Sequence, residues 1–160
     1  MHPEETRSDP VLADDSWCFV CGEANPAGLR TRWTLEGGVA RTRFRAERRH
    51  QGWQGIVHGG ILSSLLDEAM AKCLRLQGVD ALTGRIDVRF RMPVPTGVTI
   101  LAEARIVADR GRAIALEAAI VGADDGVRYC EAEGVCIRVA PGGPAGQADE
   151  PGHQGANHDL

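Results

Sequence analysis

Residues 54–73, QGIVHGGILSSLLDEAMAKC, contain the one stretch of this chain in which apolar residues recur with the period of an α-helix. Advancing about 100° per residue from Gly60 gathers Ile61, Leu62, Leu65, Leu66, Ala69, Met70 and Cys73 into a single broad stripe. The spacing predicts a helix from about Gly60 to Gln77, with Gly78 as its C-terminal cap. A lone amphipathic helix needs something to cover its stripe, and the flanking sequence supplies strands.

The segment LRTRWTLEGGVARTRFRA, residues 29–46, alternates on both sides of Glu36-Gly37-Gly38 and predicts a hairpin. After the helix, Ile86, Val88, Phe90 and Met92 alternate with Arg85, Asp87, Arg89 and Arg91 until PVPTG breaks the run. Strands over Val98–Ala108, Ala113–Val121 and Val127–Val139 follow, joined at Asp109-Arg110-Gly111 and Asp124-Asp125-Gly126. Two strands, one long helix and four strands define an α+β arrangement in which a six-stranded antiparallel sheet wraps a central helix. One helix cannot cover six strands, so an edge or face is expected to meet a second copy.

The chain has 160 residues and is 43% hydrophobic, enough for one domain with its own core. That domain is expected over residues 16–139, between a polar, Pro-punctuated tail at 1–15 and a Gly-, Pro- and Ala-rich tail at 140–160; both tails are expected to be disordered. A net charge of -4 argues against a dedicated nucleic-acid binder. No apolar run reaches the roughly 20 residues of a membrane helix, and the acidic N-terminus lacks an apolar core for export; a cytoplasmic protein is expected. Five cysteines at irregular positions fit reduced thiols.

The helix carries two adjacent acids. Glu68 falls with Ser64, Lys72 and Arg75 on the side opposite the stripe, pairs with Lys72 at i+4, and reads as a residue of a solvated face. Asp67 lies with Gly60 and Ser63 on the border of the buried stripe, without a basic residue at i+3 or i+4 and too deep in the helix for capping. Such a carboxylate suits a base or nucleophile, although an ordinary border residue remains the other reading. His58-Gly59-Gly60 precedes the helix. Two glycines leave unpaired N–H groups open at the positive end of the helix dipole, a place suited to a developing oxyanion.

With these residues in view, the sequence resembles the hotdog-fold acyl-CoA thioesterases, specifically the phenylacetate-pathway type of the 4-hydroxybenzoyl-CoA thioesterase superfamily. GIVHGGILSSLLDEAM at 55–70, TGRIDVRFRMPVPTG at 83–97 and CFVCGEANPAGL at 18–29 carry the resemblance. It implies a hotdog fold, hydrolysis of an acyl-CoA thioester without metal or bound cofactor, and a homodimer or dimer of dimers with sites between subunits. It also implies that Asp67 is the catalytic carboxylate, as nucleophile or as base on water. The N–H of Gly60 or Gly59 would polarise the thioester carbonyl, His58 would shape the pocket, and Thr83 would position the attacking water. Many relatives carry an Asn six residues before the histidine of HGG, where this chain has Gly52; Gln54 is a candidate for that role.

Weaker candidates complete the reading. Arg89 and Arg91 could hold CoA phosphates or belong to a solvated strand face, and Trp53 could wall the acyl pocket or pack in its loop. A hotdog hydratase or dehydratase would use His50 and Glu68, and a non-catalytic acyl-CoA-binding module is a third possibility. Cys18-x-x-Cys21 needs two further ligands to hold zinc; Cys130, Cys136, His50 and Cys73 are not spaced to supply them, so no metal is expected. His153 and His158 in the C-terminal tail read as solvated bystanders.

Overall fold

The computed structural model describes residues 12–140; the greater part of both expected tails lies outside the described residues. Within them the elements are β1 (Thr34–Glu36), β2 (Val39–Arg45), a short 3-10 turn (Arg48–His50), α1 (Gly59–Arg75), β3 (Ala81–Phe90), β4 (Thr99–Asp109), β5 (Ala113–Gly122) and β6 (Arg128–Arg138). The six strands form one antiparallel sheet in the order β1-β2-β4-β5-β6-β3. The single long helix lies against it, as the periodicity predicts.

Two turns follow directly from their residues. Gly37 and Gly38 both take positive φ, 56° and 77°, which a two-residue hairpin matched to strand twist requires of its central pair. At the helix end, the Gly78 N–H donates to Arg75 O and the Val79 N–H to Leu74 O, with Gly78 at φ 78°. This is the paired-bond C-terminal motif expected from a glycine at that position.

The first strand is shorter than the alternation predicts. Residues 29–33 are extended only in part: Arg30 sits at φ 54°, and the N–H groups of Leu29 and Thr31 donate to Phe19 O and Val20 O of the preceding segment. The leader thus takes hydrogen bonds that a full hairpin would have used. It also reaches the helix end, where Arg75 Nη2 donates to Leu12 O at 3.1 Å, so Leu12 of the expected tail is tied to the domain.

Helix and sheet share one core. Leu65, Leu66, Met70 and Leu74 are fully buried, as are Ile100, Ile114 and Ile120 on the facing strands. Each contributes about 1.5–3 kcal/mol of transfer free energy relative to exposure. At Gly134 of β6 a Cβ would lie 2.4 Å from the Met70 sulfur. A side chain there would displace the Met70 thioether. Gly134→Ala is expected to cost about 1–3 kcal/mol by overpacking, and thermal unfolding checks it; in a Met70→Ala background the same change costs less, because the atom it would strike is gone.

Candidate active site

The two edges of the sheet differ in kind. β1 has three residues, whereas β3 has ten, hydrogen-bonded to β6 on one side only. Leu82, Phe90 and, just beyond the strand, Met92 are more than half exposed along this second edge. A long open edge with apolar side chains is a ready surface for pairing. Between Thr83 and Arg85 the register with β6 shifts, and Gly84 is the extra residue of a bulge. Thr83 lies opposite buried Cys136 and turns towards the helix.

There it meets Asp67. Thr83 Oγ1 donates to Asp67 Oδ1 at 2.7 Å, and the pair opens to solvent at the free edge. Asp67 occupies the flank of α1 that its place on the helical wheel predicts, half-buried beside the apolar stripe.

At the N-terminus of the same helix, His58 is the cap: its Nδ1 accepts from the Gly60 N–H at 2.8 Å. Of the two glycine donors expected to face a substrate oxygen, Gly60 is therefore already engaged by His58. Among the described residues the Gly59 N–H has no acceptor, leaving it as the available donor. A Cβ on Gly59 would lie 3.3 Å from Phe90 Cζ, so the β3 end and the helix N-terminus meet there. Gly52, at the place where relatives carry Asn, lies against His58: a Cβ there would be 3.1 Å from its Cδ2.

The remaining candidates divide. Trp53 and Gln54 are exposed in the loop before the helix. Arg89 lies on the sheet face away from the helix, 4.0 Å from Asp87, while Arg91 Nε donates to Glu131 at 3.1 Å. Arg89 borders a groove of about 490 Å³ lined by compensating charges such as Arg41 and Glu103, on the opposite side of the sheet from Asp67.

Two expectations are corrected. Glu68 is not on a solvated face: its side chain is 13% exposed, with Lys72 Nζ at 3.7 Å, because the leader carrying Cys18 and Cys21 covers that flank. The wheel records direction from the helix axis and contains nothing about which distant segment arrives there. His50 is not an available acid or base: it is buried, and its Nδ1 accepts from the Glu47 N–H at 3.0 Å, which in the neutral ring leaves Nε2 as the N–H. The pair required by a hydratase reading is thus engaged elsewhere at both members. The residue that periodicity missed is Phe90 over Gly59; its strand alternation marks it only as inward-facing.

Residues 54–129 match the family model described as the thioesterase superfamily. The chain is 28% identical over 91 residues to the acyl-coenzyme A thioesterase THEM4 of Bos taurus and 27% over 94 residues to that of Mus musculus. These matches cover 57% and 59% of this chain but only 37% and 40% of the relatives' own length. Among solved structures, the PaaI protein of the E. coli phenylacetic acid degradation operon superposes with a TM-score of 0.66 at 22% identity, covering 70% of this chain and 81% of that one. The smu.793 protein of Streptococcus mutans, bound to acetyl CoA, gives 0.65 at 17% identity over 69% and 89%. The chain has the hotdog fold of these structures, and its residues 54–129 are similar to the thioesterase superfamily. No helix among the described residues is long and apolar enough to cross a membrane.

Burial pushes the His50 imidazole below its ordinary value, the positive charge of Arg49 adding to the effect. The folded state therefore prefers the neutral ring. Its contribution to stability is complete above the unfolded value of 6.5 and is lost as pH falls below that through the lower folded value. In His50→Asn, whose Oδ1 can accept the Glu47 N–H, the acid-side decline in melting temperature is expected to be shallower than in wild type.

Proposed function

We propose that the protein is an acyl-CoA thioesterase, hydrolysing an acyl thioester to a carboxylic acid and free CoA, with Asp67 as the catalytic carboxylate. The observation that carries this reading is the Thr83 to Asp67 hydrogen bond, 2.7 Å, held on the helix flank beside the open edge of β3. The names of the curated relatives and the CoA bound by a structural neighbour support the substrate class. A thiolate leaves readily, so attack on the carbonyl and stabilisation of the oxyanion are the steps that need help. Asp67 acts as nucleophile or as base on water, and Thr83 fixes its carboxylate or the water it activates.

Helix pitch decides how many chains one site needs. Gly59 and Asp67 are eight residues apart, about 12 Å along the axis, and an aspartate side chain recovers only a few ångströms of that. A reacting carbonyl must sit about 3–3.5 Å from its attacker. One helix therefore cannot offer both the oxyanion donor and the carboxylate to a single thioester. A second copy resolves the difficulty. If two β3 edges pair antiparallel about a two-fold axis near Ile86 and Asp87, Thr83 of one protomer falls opposite Phe90 of the other, and Phe90 packs on Gly59. The Asp67 and Thr83 of one chain then face the Gly59 N–H of its partner. The site lies between subunits of a homodimer, and His58 acts by capping the helix and holding the glycine pair in place.

Asp67→Asn is expected to lower kcat for acyl-CoA hydrolysis by about 10²–10⁴-fold, followed by thiol release over an acyl-CoA panel. Thr83→Val should lose about 10- to 100-fold, the equivalent of a hydrogen bond to a charged group, and Thr83→Ser should recover most of it. A panel that yields no thiol but an enoyl absorbance change, or an Asp67→Asn protein at full rate, removes the reading. Binding of acyl-CoA without turnover of any member of the panel would instead identify a binding module.

Subunit complementation tests the shared site. Asp67→Asn and Gly59→Val are each expected to be inactive. Co-expressed in equal amounts, they should regain about a quarter of wild-type activity, since half the dimers are mixed and each mixed dimer holds one intact site. A site contained in one chain would stay silent in every mixture.

A further inference from the structure

On the flank of α1 that faces away from β3, the leader places two sulfurs against a carboxylate. Cys18 and Cys21 lie in a tight turn closed by Gly22 N–H to Cys18 O at 2.8 Å. The Val20 N–H points at Cys18 Sγ, 3.4 Å away. Gly22 has no room for a side chain, because a Cβ would lie 2.4 Å from Ser16 O and 2.6 Å from Cys18 N. Cys18 Sγ, Cys21 Sγ and a Glu68 oxygen all lie within 4.8 Å of one another. Glu68 divides its two oxygens: Oε2 takes the Cys18 thiol at 3.7 Å, and Oε1 faces Lys72 Nζ at 3.7 Å. The proposed thioester chemistry uses none of these groups.

We propose that Cys18, Cys21 and Glu68 bind one divalent transition ion of the zinc class, with solvent at the fourth position and Lys72 as the neutralising cation beside them. Distances fit. Tetrahedral coordination with metal–sulfur bonds of about 2.3 Å and metal–oxygen bonds near 2.1 Å puts sulfur and oxygen ligands about 3.6 Å apart, against the 3.7 Å between Cys18 Sγ and Glu68 Oε2. The ion would replace the thiol proton that now bridges the two. Ligand type fits as well: two sulfurs and a carboxylate suit zinc, whereas magnesium and calcium require oxygen alone. The Val20 N–H aimed at Cys18 Sγ is a donor that supports a thiolate.

The charge closes. Two thiolates and one carboxylate carry three negative charges, the ion two positive and the Lys72 ammonium one. Binding forms two metal–sulfur bonds and one metal–oxygen bond and releases two thiol protons to solvent. No electron is transferred. Because two thiol protons must be displaced, affinity should rise with pH. The ion would tie the leader to the helix one residue from Asp67, adding coordination to the backbone hydrogen bonds and the core packing of Val20 and Leu29 that already hold it.

The full chain, reduced and stripped with chelator, is titrated with Co²⁺ under anaerobic conditions. One equivalent is expected to bind, with a near-ultraviolet thiolate-to-cobalt charge-transfer band and the intense visible bands of tetrahedral cobalt, both removed by Zn²⁺. Cys18→Ser and Cys21→Ser should each diminish the charge-transfer band. Glu68→Gln should weaken Zn²⁺ binding at least tenfold, and Lys72→Met about 10- to 100-fold as a neighbour of the ligands. Far-ultraviolet circular dichroism of each metal-free variant separates loss of a ligand from loss of fold. The wild-type titration stands without any variant: absence of a one-to-one charge-transfer band overturns the proposal, as does a folded Glu68→Gln protein that binds Zn²⁺ as tightly as wild type.

Discussion

The packing of the α1 apolar stripe on the sheet is the constraint from which the rest of the arrangement follows. The helix settles onto the sheet through Leu65, Leu66, Met70 and Leu74 against the isoleucines of β4 and β5, with no Cβ at 134 to displace the Met70 thioether. Interiors packed at crystal-like density leave little freedom to roll a helix by even part of a turn. Its two flanks are then committed, one to the β3 edge and the other to the leader.

That commitment explains why two adjacent carboxylates have unlike surroundings. Successive residues on a helix point about 100° apart, so Asp67 meets Thr83 at the open edge while Glu68 meets Cys18 and Lys72 under the leader. The same pitch that separates their directions also separates Asp67 from the helix N-terminus by more than two turns. In the proposed mechanism this distance is a reason for a second subunit. The long free edge of β3, with Leu82 and Phe90 more than half exposed, is the complementary feature of a surface suited to one.

His58 illustrates how capping narrows the choice of oxyanion donor. Its imidazole satisfies Gly60 and leaves Gly59, at the point where Phe90 crosses the helix end. A Cβ at 59 would lie 3.3 Å from the Phe90 ring and one at 60 would lie 2.9 Å from His58 Nδ1, so a side chain at either position requires its neighbour to shift. The pair thus has separate reasons for being glycine, one in packing against β3 and one in the cap.

Local repetition in the chain was enough to read the helix, its C-terminal glycine, the order of strands and the turns between them, because periods of 3.6 and 2 are properties of neighbouring residues. The position of Asp67 on the border of the stripe was legible for the same reason. The place of Thr83 in the site rested on family resemblance, and its hydrogen bond to Asp67 was not legible, since no local pattern states that a bulge at Gly84 turns that hydroxyl inward. The shortened first strand, the occupied Gly60 N–H, the engagement of His50 and the burial of Glu68 beneath the leader were decided only by the tertiary structure. Each depends on which segment arrives from far along the chain, and a helical wheel or an alternation of side chains carries no term for that arrival.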